Sequence, residues 1–278
     1  MLTVPVRQLL EPDRAVVKRL LDAHPIASAQ VAERIGARGL GWRADGRLFG
    51  YGTGRAPEAL LWCGGQVTPL GADDKAIAAF ADLVSGWPRA GASVVGSAEA
   101  VLALWEKLRP SWGPERTVRA EQPLLMVDRS PSRAADPLVR PVRTDEVDVL
   151  FPAAVAMYTE EVGVSPVSDD GGRSYRVRVA EIVRSGRAFA RILDGQVVFK
   201  AELAVVTKHT AQVQGVWVHP EYRGRGIGSA GMAAVVREAL RRFAPSVSLY
   251  VNAFNEPARH VYDRLGFRRV GTFATVLF

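Results

Sequence analysis

The stretch Val216-Trp-Val-His-Pro-Glu-Tyr-Arg-Gly-Arg-Gly-Ile-Gly-Ser-Ala-Gly-Met232 decides how this chain is read. The β-prone Val216, Trp217 and Val218 run into Pro220 and then into a loop dense in arginine and glycine. Beyond it, Met232, Val235, Val236, Ala239, Leu240 and Phe243 recur at helical spacing, with Arg237, Glu238 and Arg241 opposite. The order is strand, glycine loop, helix N-terminus. Such a junction offers uncommitted backbone N–H groups and a positive dipole end to an anion. Gly224, Gly226 and Gly228 let the backbone approach a ligand closely. Arg223 and Arg225 add charge suited to phosphate oxygens. The junction suits a pyrophosphate.

Gly226-x-Gly228-x-x-Gly231 fits the dinucleotide pattern of Rossmann folds, which is weak evidence alone. That fold needs a βαβ unit with an acidic residue near the end of the next strand. Here the next strand, 247–251, runs into Asn252-Ala-Phe-Asn255 with no carboxylate, and the upstream segment reads as antiparallel hairpins. The stretch instead resembles the signature of the GNAT N-acetyltransferase superfamily, (Gln/Arg)-x-x-Gly-x-(Gly/Ala), met by Arg223, Gly226 and Gly228. A second resemblance follows in Asn252-x-x-Asn255-x-x-Ala258-x-x-x-Tyr262-x-x-x-Gly266-Phe267, similar to the second acyl-CoA motif of that family.

Composition bounds the alternatives. The chain has 278 residues, 48% of them hydrophobic and 23% charged, as in soluble globular proteins of one large or two ordinary domains. The N-terminal Met1-Leu-Thr-Val-Pro-Val-Arg-Gln8 lacks the apolar core of a signal peptide, and no stretch has the length of a membrane span. Cys63 is alone, so no internal disulfide forms, which fits a reducing cytoplasm. Beside Trp62 it reads as a small buried hydrophobe. A net charge of +7 raises nucleic-acid binding, but the basic residues are scattered rather than gathered in a stripe. Residues 1–130 hold 16 basic and 14 acidic side chains and the remainder 20 and 15, so most of the excess accompanies the glycine loop. His24, His209, His219 and His260 show no metal-ligand spacing, so no metal is expected.

Residues 1–130 read as one unit: a strand at Thr3–Val6, helices at 12–21 and 28–35, paired strands at 47–53 and 58–67, a helix at 72–87, a strand at 92–96, a helix at 98–108 capped by Ser97, and strands near 117–120 and 124–127. Residues 131–137 are a linker rich in breakers. The same order then recurs over 138–278: a strand at 138–143, a helix introduced by Thr144 and restarting at Pro152, a helix at 172–184, strands at 187–193, 197–206 and 210–218 with an Asp194-Gly195 hairpin turn, the glycine-loop helix, a strand at 246–251, a helix at 256–265 and strands at 267–271 and 274–277. The expected class is α+β: two tandem GNAT-like domains, each a mixed, largely antiparallel sheet flanked by helices, an arrangement similar to mycothiol synthase. The first domain reads as degenerate, because Leu70-Gly-Ala-Asp-Asp74 at the corresponding loop puts Asp73 and Asp74 where a phosphate would sit.

The resemblance implies direct transfer of an acetyl group from acetyl-CoA to a small-molecule or peptide amine, with CoA as product. No membrane or nucleic-acid partner is implied, and the protein is expected to be a cytoplasmic monomer or homodimer. Arg223, Gly224, Arg225, Gly226, Ile227, Gly228 and Ser229 would hold the pyrophosphate, while Val216, Trp217 and Val218 would pair with the pantetheine arm as an added strand. A backbone N–H of the same segment would polarise the acyl carbonyl. Tyr262 would serve the departing thiolate, and Ala258 and Asn255 the pantetheine, Asn255 doubling as an N-cap. Many histone-type members carry a glutamate base where this chain has Gln212. An amine near pKa 10.4 must lose a proton before it attacks, which leaves Glu202, Glu160 or Glu161 as candidate bases. Lys200 is the structural partner to expect for Glu202. Glu160, Glu161, Asp169 and Asp170 favour a cationic acceptor. The rival readings are a non-catalytic acyl-CoA-binding or assembly module, and a transferase for another acyl-CoA or an O-acceptor.

Overall fold

The computed structural model describes residues 5–41, 46–54, 56–89, 91–168 and 170–278. The first series of elements is β1 (Val6–Leu9), α1 (Arg14–Ala23), α2 (Ala29–Arg38), β2 (Arg47–Tyr51), β3 (Ala59–Cys63), β4 (Val67–Leu70), α3 (Asp74–Val84), β5 (Ser93–Ser97), α4 (Ala98–Trp112) and β6 (Thr117–Val127). The second is β7 (Arg140–Pro141), α5 (Val147–Val162), α6 (Arg173–Arg184), β8 (Ala188–Leu193), β9 (Gln196–Val206), β10 (Ala211–Val218), α7 (Ile227–Arg242), β11 (Val247–Tyr250), α8 (Glu256–Arg264) and β12 (Arg268–Leu277). The same order of strands and helices appears twice.

By its contacts the chain forms two compact units. One comprises Met1–Leu125, Tyr250–Asn255 and Arg269–Phe278; the other comprises Met126–Leu249 and Glu256–Arg268. In the first unit the strands run β1-β2-β3-β4-β5-β12-β6. Its pairs are antiparallel from β1 to β4 and parallel between β4 and β5. Phe80, Leu104, Trp105 and Leu108 of α3 and α4 build one core, and Val17, Leu21, Val31 and Ile35 of α1 and α2 build another. Cys63 is buried, and burial pushes its thiol up to about 12, the inert hydrophobe the sequence suggests.

In the second unit the strands run β11-β10-β9-β8-β7, antiparallel except for the β10–β11 pair. Successive strand residues face opposite sides, and β9 separates the helices accordingly. A Cβ on Gly231 of α7 would meet the Phe199 ring at 2.8 Å, so that glycine serves close helix–strand packing. Lys200, the next residue, faces α5 and α6. Asp194 and Gly195 both take positive φ (49° and 77°), the geometry a two-residue hairpin turn requires.

The structure departs from the sequence reading in several places. Of the strand expected at Thr3–Val6, Thr3 and Val4 lie outside the described residues, and the described strand runs over Val6–Leu9. The run 58–67 divides into β3 and the start of β4, because Gly64 and Gly65 make a turn within it. Ser97 sits at the N-cap of α4 without a side-chain capping bond. Helix α5 does not restart at Pro152 but runs through it from Val147. A proline gives up only its own N–H, so the helix continues beyond one lost bond. Each anticipated pair of terminal strands is one long strand, β6 or β12.

The largest difference from the 138–278 boundary concerns β12. It pairs antiparallel with β5, and Ala274 and Val276, both fully buried, belong to the core of the first unit. Phe278 adds ring contacts to Trp105 and Trp112. An apolar alternation facing that core explains why the strand docks there.

Helix α5, which carries Glu160 and Glu161, is fixed at its start by Glu146. This carboxylate takes a two-pronged bond from Arg140 at 2.7 and 2.8 Å and another from the Arg143 N–H. The Arg140 guanidinium foremost holds it down to about 2. A carboxylate depressed on folding stabilises above its unfolded value and loses that stabilisation as pH falls through the folded one. Stability should therefore drop between about 4.5 and 2. In acid titrations followed by circular dichroism, Glu146→Gln is expected to flatten that fall and to lower stability at pH 7.

Candidate active site

Helix α7 begins at Gly226, which takes φ 78° and has no side chain to cap the helix. Its first-turn N–H groups come from Ile227, Gly228 and Ser229. The Ser229 hydroxyl is buried without a hydrogen-bond partner among the described residues. Gly224 also takes positive φ, and a Cβ there would meet nothing within 4 Å. A polar, uncapped, open helix start fits a phosphate group. The corresponding helix of the first unit differs: the Asp73 carboxylate accepts the Ala76 N–H at 2.9 Å and already caps α3.

The arginines are arranged in a way the sequence did not reveal. Arg223 folds back, donating from Nε to the Val218 carbonyl at 3.0 Å and from Nη2 to Glu160 at 2.7 Å. Arg225 lies over the Tyr222 ring. A third arginine, Arg133, has Nη2 3.9 Å from where a Cβ on Gly226 would stand. Arg237 holds the segment that delivers it by bonding the carbonyls of Pro131 and Arg133 at 3.0 and 2.9 Å. The Asp136 N–H adds a bond to the Ala230 carbonyl at 3.0 Å. Breaker composition marks this segment as a linker and conceals that it binds α7. No motif would have found Arg133.

Strand β10 carries the next feature. It pairs with β11 only at Ala211–Val247 and Gln212–Ser248, and from Val213 onward it has no β11 partner in the register. An extended arm can add to such an edge as a strand. On the other side, the β9 register shifts between Gln214 and Trp217, leaving Gly215 and Val216 as a bulge. Gly215 takes φ 59°, and its carbonyl accepts from Lys200 Nζ at 2.9 Å. Lys200 is 1% exposed, and burial lowers its pKa against the opposing pull of Glu202. Glu202 lies 3.6 Å from Lys200 Nζ and 3.9 Å from Arg178, longer than hydrogen bonds. Lys200 is therefore the partner that strand alternation suggests.

Tyr262 of α8 is buried, with its ring edge-on to Phe267. Burial, and secondarily the Glu161 carboxylate, raise its phenol well above the usual value. Glu161 also acts on Lys200 and Tyr175. One region of the second unit thus gathers Tyr262, Glu161, Glu202, Lys200 and the bulge of β10.

Other residues singled out in the sequence lie differently. Glu160 is engaged, accepting Trp217 Nε1–H at 3.0 Å as well as Arg223. Gln212 is buried and accepts from Gln214 at 3.2 Å. Asp170 accepts the N–H groups of Gly172 and Ser174 at the start of α6. Asp169 lies outside the described residues. Asn255 is exposed in the turn before α8, where its N–H bonds the Asn252 carbonyl at 2.9 Å, and it groups with the first unit. Ala258 is half-buried on α8. Among the described residues, no group of three or more His, Cys, Asp or Glu is placed to hold a metal ion. No helix among them is long and apolar enough to cross a membrane.

Residues 153–267 match the model of the Acetyltransferase (GNAT) family, and residues 46–150 match a domain of unknown function, DUF4081. A 56-residue segment is 41% identical to a mycothiol acetyltransferase of Corynebacterium aurimucosum, covering 20% of this chain and 18% of that protein. A 60-residue segment is 37% identical to an uncharacterized N-acetyltransferase of Methanocaldococcus jannaschii, covering 22% and 26%. The matches thus span 18% and 26% of the length of these curated relatives. A tandem GNAT protein from the clavulanic acid biosynthesis pathway superposes with a TM-score of 0.56 at 15% identity, over 97% of each chain. At that identity the likeness concerns the fold alone.

Proposed function

We propose that this protein, whose residues 153–267 match the GNAT acetyltransferase model, transfers an acetyl group from acetyl-CoA to an amine by direct attack. The observation that carries this reading is the uncapped glycine start of α7 placed next to the bulged, half-paired strand β10. The N–H groups of Ile227, Gly228 and Ser229, with Arg133 and Arg225, receive the pyrophosphate. Trp217 and Val218 bond the pantetheine arm, and the Val216 N–H takes the acyl carbonyl. The amine nitrogen attacks that carbonyl carbon, forming a C–N bond as the C–S bond breaks. Glu202 accepts the amine proton, directly or through water, while Tyr262 donates a hydrogen bond to the departing sulfur. The protein is proposed to work in the cytoplasm as a monomer or homodimer.

Glu160 is bonded to Arg223 and Trp217, and Asp170 caps its own helix. The cationic amine is placed instead beside Glu161 and Glu202, the carboxylates that act on Tyr262 and Lys200. The test is thiol release from acetyl-CoA over a wide amine panel, with products identified by mass spectrometry. Acetyl-CoA that binds but is never consumed would favour a binding module instead. Glu202→Gln is expected to lower kcat/KM steeply at neutral pH and to recover partly at high pH, where more amine is already neutral. If Glu161→Gln abolishes turnover while Glu202→Gln only destabilises the fold, the base is on α5.

A further inference from the structure

Lys200 is the one cationic side chain fully buried among the described residues. A chargeable amine in that position is costly unless it has partners. Its Nζ donates to the carbonyl of Gly215, and Glu202 stands 3.6 Å away to balance its charge. Glu161 and Arg178 also act on it, with opposite signs. The surroundings are shaped to keep this contact. Gly215 has φ 59°, a conformation that favours glycine, and a Cβ there would crowd Nζ at 2.9 Å and the Met157 methyl at 3.1 Å.

The peptide that Lys200 grips joins Gly215 to Val216. In a planar trans peptide the C=O and the following N–H point in opposite directions. A carbonyl held toward Lys200 and α5 therefore turns the Val216 N–H the other way. Neither Gly215 nor Val216 has a ladder partner on β9 to fix this peptide instead. We propose that Lys200 is a positioning residue for acyl transfer: by holding the Gly215 carbonyl it aims the Val216 N–H at the acyl carbonyl, an assignment that rests on the acyltransferase reading above. Lys200 touches neither substrate. It acts through one peptide plane.

The test reads the carbonyl itself. With acetyl-CoA carrying ¹³C in the acetyl carbonyl, isotope-edited infrared difference spectra are recorded for the wild type, Lys200→Met and Lys200→Gln. In the wild type the band is expected at lower frequency than in free acetyl-CoA, as a directed N–H donor requires. Lys200→Met keeps the length of the side chain and loses its donors. It is expected to bind acetyl-CoA within about threefold of wild type, to return the band toward the free position, and to lower kcat on the order of 10–100-fold, somewhat less than removal of an oxyanion donor outright. Lys200→Gln retains a shorter donor and should recover part of both. A Lys200→Met band at the wild-type frequency overturns the proposal, whatever its stability. So does an unshifted band in the wild type, which needs no variant to fold. If Lys200→Met is unfolded by circular dichroism, Lys200→Gln carries the comparison, and a wild-type band position in that variant overturns the proposal equally. Failure of the wild type to bind acetyl-CoA defeats the acyltransferase reading itself, a separate result.

Discussion

Gly226→Asp is expected to leave no measurable affinity for CoA in calorimetric titrations. Two effects act together. Gly226 has φ 78°, where a residue with a Cβ is strained by about 1–2 kcal/mol. The carboxylate would also sit at the positive end of α7, capping the N–H groups that the phosphates need and repelling the phosphates themselves. The first unit already shows this arrangement, with Asp73 bonded to the Ala76 N–H at the start of α3. Gly228→Asp should behave likewise, since a Cβ there would meet Val218 Cγ2 at 3.3 Å. Asp73→Asn and Asp74→Asn should leave CoA binding nearly unchanged. If affinity instead follows Asp73 or Asp74, the cofactor belongs to the first unit and the assignment of the two halves is wrong.

Tyr262→Phe is expected to lower kcat by roughly 10²–10⁴ while CoA affinity and thermal midpoint stay near wild type. The ring is buried beside Phe267, and phenylalanine keeps that packing. What is lost is one O–H. Because burial and Glu161 raise the phenol, it keeps its proton throughout the neutral range. A thiol has a pKa near 8.5. The raised phenol is the weaker acid, so in the proposed reaction Tyr262 would stabilise the leaving thiolate by a hydrogen bond rather than by complete proton transfer. An alkaline limb of kcat set by this group should lie above the usual tyrosine value of about 10. A Tyr262→Phe enzyme that turns over like wild type returns the residue to core packing.

Elements governed by local rules could be read from the sequence. The glycine loop, the Asp194-Gly195 turn and the apolar face of α7 each follow from backbone freedom or periodicity, and each stands where those rules put it. The pairing of Lys200 with Glu202 followed from strand alternation. Features that depend on distant parts of the chain were not legible. The bulge at Gly215 is a register shift between two strands, which neither strand shows alone. Arg133 approaches Gly226 because Arg237 and the Ala230 carbonyl, on a helix much later in the chain, bind its segment. Glu160 reads as an exposed helix-end charge until Arg223 folds back onto it. The bonds of Arg223 to the Val218 carbonyl and to Glu160 were likewise not legible in the signature.

The place of β12 sets a schedule for the chain's birth on the ribosome. A strand lying between β5 and β6 is supplied by residues 268–277, long after the rest of the first unit has been made. At about 5–20 residues per second, the wait from α4 to β12 is on the order of ten seconds or more. Through that interval β5 lacks the neighbour that later covers it, and an unpaired strand edge invites pairing with other chains. The half made first is thus finished last. A cut in the 131–137 segment would strand each half differently, leaving the first without its late strand and the second with an apolar ribbon that has nothing to cover it.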